Sequence, residues 1–397
     1  MTSMRTGSAV VIALLTLTSA CDSDRNEPSA TSSATAAPST TAVAAPPVVR
    51  PYCQTPPPAA WQDAIDASEV NTGGVSTVPG DVGPAGEVAA VRDNGDTRDL
   101  LLINVDGSID EIYPVPEPNR NNIGFVAMDK RWMVVGVDRI PRTSNGVLPT
   151  LIRVDVLDRQ GGPARTVVQR SDEDYASGGP TIDSVALFGD KVYWITHDAY
   201  ASSNGTLTSF DPATGAVVDL EKGNMGALRS SAVGLTFVAD GGRSYSNDQM
   251  WERSEVKVPA SLPTPVTDAL GDGPDRLSLA TDGTAYAWLT GLGQGTTGVA
   301  WWSPESGLVR VTGDVVGKSD WLPPVHVVGP YVIIDRGRQD TDTRATVVDT
   351  RSGAVTYLND RVTDADGGTI AFDLGPGKLM RVPGVLRSEK LEPQTCP

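Results

Sequence analysis

The 397-residue chain has two histidines, three cysteines and 6% aromatic residues, and its 32 Lys and Arg are outnumbered by 49 Asp and Glu. Each shortage excludes something. A formal charge of −17 excludes a nucleic-acid partner, because neutralising phosphates requires clustered basic residues. With only His197 and His326, a histidine-rich metal centre is excluded. No His-Glu-x-x-His, His-x-x-Glu-His or Gly-x-Ser-x-Gly stretch occurs, so nothing announces a metalloprotease or a nucleophile elbow.

What the chain does have is turns, with 41 Gly and 30 Pro. An apolar strand runs into an Asp-Pro-x-x-Gly turn and out again at Phe210 to Val217, and the same grammar returns at Trp302 to Val309 and Val348 to Val355. The starts are separated by 92 and 46 residues. Pro presets φ and Gly accepts positive φ, so the motif specifies a hairpin. A fixed period near 46 marks a radial array. The expected fold is an all-β β-propeller of seven four-stranded blades, with six as the alternative, closed by pairing of the N- and C-terminal segments. These turns resemble propeller repeats of the quinoprotein and YVTN type, and the resemblance implies architecture alone.

Blade by blade, Val88 to Arg92, Asp99 to Val105 and Ser108 to Tyr113 supply most of the first. Ile123 to Gln169 supplies the second and Ile182 to Leu220 the third, while the fourth, between Ala227 and Pro259, is the weakest. Arg276 to Ala280 opens the fifth and Val325 to Val328 the sixth. The last shows three strands, Thr369 to Asp373, Leu379 to Val382 and Leu386 to Leu391. Its fourth is expected from the segment holding Trp61 and Ile65, with a capping helix over Trp61 to Val70 as the alternative. Trp132, Trp194 and Trp288 fall at equivalent second-strand positions and are expected between blades.

The N-terminus carries the clearest statement of compartment. A thin positive region at Arg5, an apolar run from Ala9 to Leu17 and small residues ending at Cys21 form a secretory signal too short to span a bilayer. Leu17 to Cys21 resembles the bacterial lipobox, which implies a lipidated Cys21 as mature N-terminus. Residues 1–20 are thus read as signal peptide, 21–50 as a disordered Ser/Thr/Ala/Pro-rich tether and 51–397 as the propeller. The whole looks like an actinobacterial-type envelope lipoprotein, monomeric and membrane-anchored. An exported context permits disulfides, and Cys53 and Cys396 sit at the two ends of the folded region. Their pairing would clasp the ring, contributing roughly 4 to 5 kcal/mol through loop-closure entropy.

Function is read from the long loops, which a propeller gathers on one face. Tyr175, Tyr200 and Trp321 are candidate stacking or anchoring residues there. His197 with Asp198 is weighed against a structural histidine, and Arg336 as a carboxylate ligand against a local ion pair. His326 is read as core or channel lining. The acidic runs at Asp93 to Asp96, Asp172 to Asp174, Asp340 to Asp342 and Asp364 to Gly367 are weighed as calcium sites and set down as solvated turns, so no cofactor is expected. The reading is a scaffold or binding protein for an envelope protein or glycan. The alternative is a propeller enzyme, either a quinoprotein-like dehydrogenase or a carbohydrate-active lyase or hydrolase.

Overall fold

The structure is a computed structural model that describes residues 46–93, 95, 98–139, 151–171, 178–199, 202–239, 254–292, 296–316, 322–336, 344–375 and 380–397. It is all-β, built of antiparallel meanders. The chain first lays down β1 (Val48–Pro51), β2 (Cys53–Thr55) and helix α1 (Ala59–Asp66). A first meander follows, β3 (Ser76–Val82), β4 (Val88–Asp93), β5 (Arg98–Ile103) and β6 (Ile109–Pro114), and then a second, β7 (Asn121–Met128), β8 (Trp132–Arg139), β9 (Leu151–Asp158) and β10 (Arg165–Gln169). The third has β11 (Thr181–Phe188), β12 (Lys191–His197), β13 (Asn204–Phe210) and the start of β14 (Val217–Ser231), which continues as the first strand of the fourth beside β15 (Gly234–Ala239) and β16 (Ser254–Pro259). After helix α2 (Thr264–Leu270) come β17 (Ala280–Thr281), β18 (Tyr286–Thr290), β19 (Gly298–Ser303) and β20 (Gly307–Thr312). A sixth meander has β21 (Val325–Val328), β22 (Tyr331–Asp335), β23 (Ala345–Asp349) and β24 (Ala354–Leu358), and a seventh has β25 (Arg361–Asp366), β26 (Thr369–Asp373) and β27 (Pro383–Arg387).

The repeating turn works as its residues dictate. Asp211 Oδ1 accepts the N–H groups of Ala213 and Thr214 at 2.9 and 3.2 Å, and Gly215 closes the turn at φ +75°. Gly353 does the same at φ +83°, donating its N–H to the Asp349 carbonyl at 2.8 Å.

Between neighbouring meanders lie the cores. Trp132 and Trp194 pack with Val134, Val154 and Ile182 between the second and third, and Trp288 packs with Val233 and Val266 between the fourth and fifth, as their positions predict. Val82, Val88, Ala90 and Ile103 of the first meander share a cluster with Ala371 of the seventh.

Four strands per repeat is corrected in several places. Among the described residues the fourth meander has three strands, and α2, which follows it, buries Val266 against Val233 and Trp288. The fifth and sixth have five each, because β1 adds in parallel to β20 and β2 in parallel to β24. Val48 to Arg50, expected in the tether, are therefore strand residues. Trp61 and Ile65 do not supply a last strand. Helix α1 carries them, fully buried, into the core of the last two meanders, where Trp61 Nε1 donates to the Glu392 carbonyl at 3.0 Å. The N-terminal segment reaches β27 a little later, where Val70 N–H donates to Pro383 O and Val385 N–H to Ser68 O, each at 2.9 Å. The first strand of the seventh meander is Arg361–Asp366, a stretch the sequence assigns to a loop, and the third is Pro383–Arg387, shifted from both expected segments. Pro274–Ser278 is a 3-10 helix where a strand is expected, since Pro274 and Gly273 at its start suit a helical turn. The Cys53–Cys396 disulfide forms, over a sequence separation of 343 residues.

Candidate functional site

The first strands of the meanders share a device that the sequence conceals. β3, β7, β11, β14 and β25 each carry a register shift against their second strand. A bulge re-aims the side chains beside it, and Asp81, Asp183 and Asp364, each at or next to such a bulge, reach a backbone N–H of the following meander. Asp81 Oδ2 accepts Met128 N–H at 2.6 Å, Asp183 Oδ2 accepts Ala227 N–H at 3.0 Å, and Asp364 Oδ2 accepts Val82 N–H at 2.7 Å. Asp282, in a turn, likewise takes Gly329 N–H at 2.8 Å. The separations of 47, 44 and 47 residues for the pairs that run forward in sequence repeat the period of the turns.

Residues of β3, β7, β14, β21 and β25 line a cavity of about 490 Å³, within the size range of small-molecule sites. One side is acidic and carries Asp81, Asp364, Asp366 and His326; another is lined by Arg229, Ser230, Ser231 and Thr236. Apolar surface from Met128, Leu279, Leu322 and Val327 lies between.

On the acidic side the groups titrate unequally. Burial, then the neighbouring Asp364 carboxylate, pushes Asp81 well above the usual range, so Asp81 keeps the proton the pair shares. Burial opposes charge on Asp364 too, but hydrogen bonds from His326, Asp81 and Val82 N–H and the charge of His326 outweigh it and hold its pKa below normal. Asp366 is pushed up to about 6 by burial, against the pull of Gly367 N–H and with help from the charges of Asp364, Asp282 and Glu87. His326 Nδ1 stands 3.0 Å from Asp364 Oδ1. Facing an ionised carboxylate, Nδ1 carries the hydrogen and donates, which leaves Nε2 as a buried nitrogen with no partner. Arg229 is open to the cavity but walled by protein, which lowers its guanidinium pKa. It has no hydrogen bond or ion pair among the described residues.

The residues singled out from sequence do not converge on this site. Cys21, Tyr175, Tyr200 and Trp321 lie outside the described residues, as do Asp172 to Asp174 and Asp340 to Asp342. Asp198 is exposed and does not pair with His197; His197 is wholly buried, with Nε2 2.7 Å from the Met225 carbonyl and Nδ1 3.7 Å from Asp183 Oδ1. Arg336 Nη2 donates to the Val316 carbonyl at 2.5 Å, and its guanidinium lies 5.5 Å from the Tyr357 ring centre. Asp364 and Asp366, read as a solvated turn, instead stand on a strand facing the cavity. Asp81 and Arg229 were not foreseen at all. Among the described residues no group of three or more His, Cys, Asp or Glu is placed to hold a metal ion, and no helix is long and apolar enough to cross a membrane.

No protein-family model matches the chain, and no curated protein matches it. It is similar to solved structures at low identity. An oligogalacturonate lyase from Vibrio parahaemolyticus aligns at 11% identity and TM-score 0.48, over 80% of this chain and 92% of that one. The β-propeller domain of the trilobed protease from Pyrococcus furiosus aligns at 10% identity and TM-score 0.44, over 78% and 95%. A puromycin-hydrolysing peptidase of Mycobacterium tuberculosis aligns at 15% and TM-score 0.38, over 76% of this chain and 50% of that one.

Proposed function

We propose that the protein is a seven-bladed propeller, closed where its two ends meet, tethered outside the cytoplasm by a lipid on Cys21, and that it binds a small polar ligand in its central cavity. The observation that carries the reading is the cavity itself, onto which the Arg229 guanidinium opens without a hydrogen-bond or ion-pair partner among the described residues. A guanidinium with no carboxylate beside it suits an anionic ligand group. Partner proteins or glycans of the envelope would meet the long-loop face, where Tyr175, Tyr200 and Trp321 belong in the sequence.

An enzyme is the second reading, and one feature favours it: Asp364 holds the ring of His326 through Nδ1, the way an acid–base histidine is oriented by a carboxylate. Nε2 has no surface exposure, so this reading requires the ring to move, and binding is preferred. Intact and native mass measurements on membrane-extracted protein test the proposal. A diacylglyceryl-modified Cys21 and a co-purifying small ligand that Arg229→Ala fails to retain are expected. An unmodified N-terminus would remove the anchor. Equal ligand retention by wild type and Arg229→Ala would remove the cavity site.

A further inference from the structure

The acidic and basic sides of the cavity define what fits it. Most of the acidic capacity is already committed. Asp364 is engaged by His326, Asp81 and Val82 N–H, and Asp81 by Met128 N–H and the proton it shares with Asp364. Asp366 is different. Its Oδ1 accepts Gly367 N–H at 2.7 Å, and no hydrogen bond occupies Oδ2. Asp364 and Asp366, two apart on β25, present the same face, so the open carboxylate oxygen and the unmet nitrogen of His326 lie on adjoining strands of one side.

Across the site the open group has the opposite sign. Arg229 stands directly across the β14–β15 ladder from Thr236, with Ser230 and Ser231 following it along the cavity. A guanidinium flanked by hydroxyls and lacking a carboxylate of its own suits a planar anion, which it can hold through two parallel hydrogen bonds. A ligand carrying only an anion would meet Asp366, and one carrying only a cation would meet Arg229. Both open groups are satisfied together by a ligand that is anionic at one end and cationic at the other, with apolar substance between to cover Met128, Leu279 and Leu322.

We propose that the cavity binds a zwitterionic amino-acid or short-peptide ligand, its carboxylate on Arg229 and its ammonium on Asp366. This rests on the cavity-binding reading above and gives it a ligand class.

The test is isothermal titration of the full-length, detergent-extracted protein at pH 7.5 with trialanine, its N-acetyl derivative and its C-terminal amide. Trialanine is expected to bind, and each derivative to bind at least tenfold more weakly. In Arg229→Ala the acid and the amide should bind equally and weakly, because the group that tells them apart is gone. In Asp366→Asn the same should hold for trialanine and its N-acetyl form. Both side chains face the cavity, and a circular dichroism melt confirms that each variant folds; if one does not, the derivatives on wild type still decide. Derivatives that bind wild type as well as trialanine does would overturn the assignment. Glucuronate, an anionic sugar with no ammonium, separates the two levels. Arg229-dependent binding of glucuronate with none of trialanine overturns the zwitterion and leaves the cavity site standing. Binding of neither overturns both.

Discussion

The chain's two histidines stand in matched surroundings. Each pairs through Nδ1 with an aspartate on a first strand, Asp183 for His197 and Asp364 for His326, and each aspartate also takes an N–H from the next meander, Ala227 or Val82. The difference is at the other nitrogen. His197 Nε2 donates to the Met225 carbonyl at 2.7 Å in a wholly buried setting, whereas His326 Nε2 has no partner and its ring lines the cavity. One pair is complete within the fold, and the other leaves a nitrogen unmet. The backbone behind them differs too. The Asp183 tie joins meanders that share the unbroken strand β14, while the Asp364 tie joins the seventh meander to the first, whose strands are far apart in sequence.

The largest way to break this comparison is at the clasp. Reducing Cys53–Cys396 should cost about 5 kcal/mol through loop-closure entropy, a fall in Tm of roughly 7 °C for a folded body of this length. The loss should be local before it is global. Amide exchange at Val82 N–H, across the join, is expected to accelerate on reduction while Ala227 N–H stays protected. Equal acceleration at both would show that the clasp does not hold the join in particular.

The histidines themselves come next. His197→Ala removes a buried hydrogen bond and leaves a hole in the wall of the third and fourth meanders, at about 3 kcal/mol. His326→Ala removes a side chain with one unmet nitrogen and an open cavity beside it, so the expected cost is on the order of 1 kcal/mol. Urea unfolding of the two variants compares them directly. A His326 variant as destabilised as the His197 variant would place both residues in the structure and neither in a site.

The sequence shows the outer parts of this molecule far better than its centre, and the reason is physical. Turns such as Asp211 to Gly215 are written in residues that can adopt few other conformations, and the cysteines at the two ends leave one pairing once Cys21 is set aside. Third strands such as Ala345–Asp349 read as short apolar runs beside these turns. First strands are harder to read, because one face meets a polar cavity and a bulge shifts the phase partway along. In β3 the bulge falls at Pro79 and Gly80, which read as loop. In β25 it falls at Thr363, and Asp364 and Asp366, poor strand formers, disguise the strand as a turn. Asp81, Asp364 and Asp366 are thus hidden by the feature that brings them to the cavity. Arg229 gives no signal in one dimension, since only the folded arrangement shows that its strand faces inward. The spacing of 47, 44 and 47 residues between an aspartate and the N–H it binds was readable, had the period been applied to acidic residues as well as to turns.

The smallest expected effect concerns protons and again falls on the His326 side. Asp366 has a folded-state pKa of about 6 against an ordinary value of 3.8, so the folded protein holds this proton more tightly than the unfolded chain. The stabilisation is therefore fully present below pH 3.8 and is lost as pH rises through about 6. Asp81, also raised, acts in the same direction. Asp364, lowered, acts in the opposite one, but its loss begins only as pH falls below the ordinary carboxylate range. Between pH 7.5 and 5 the wild type should gain stability, with Asp366 contributing on the order of 1 kcal/mol once its exposure to the cavity is allowed for. Asp366→Asn cannot take up that proton and should gain correspondingly less. The opposite trend holds for the ligand: an ammonium needs the ionised carboxylate, so its affinity for wild type should fall over the same interval in which the fold grows firmer. Urea midpoints at the two pH values, in wild type and Asp366→Asn, measure the first effect. Identical gains in the two proteins would show that Asp366 does not titrate in this range and would take its special place in the cavity with it.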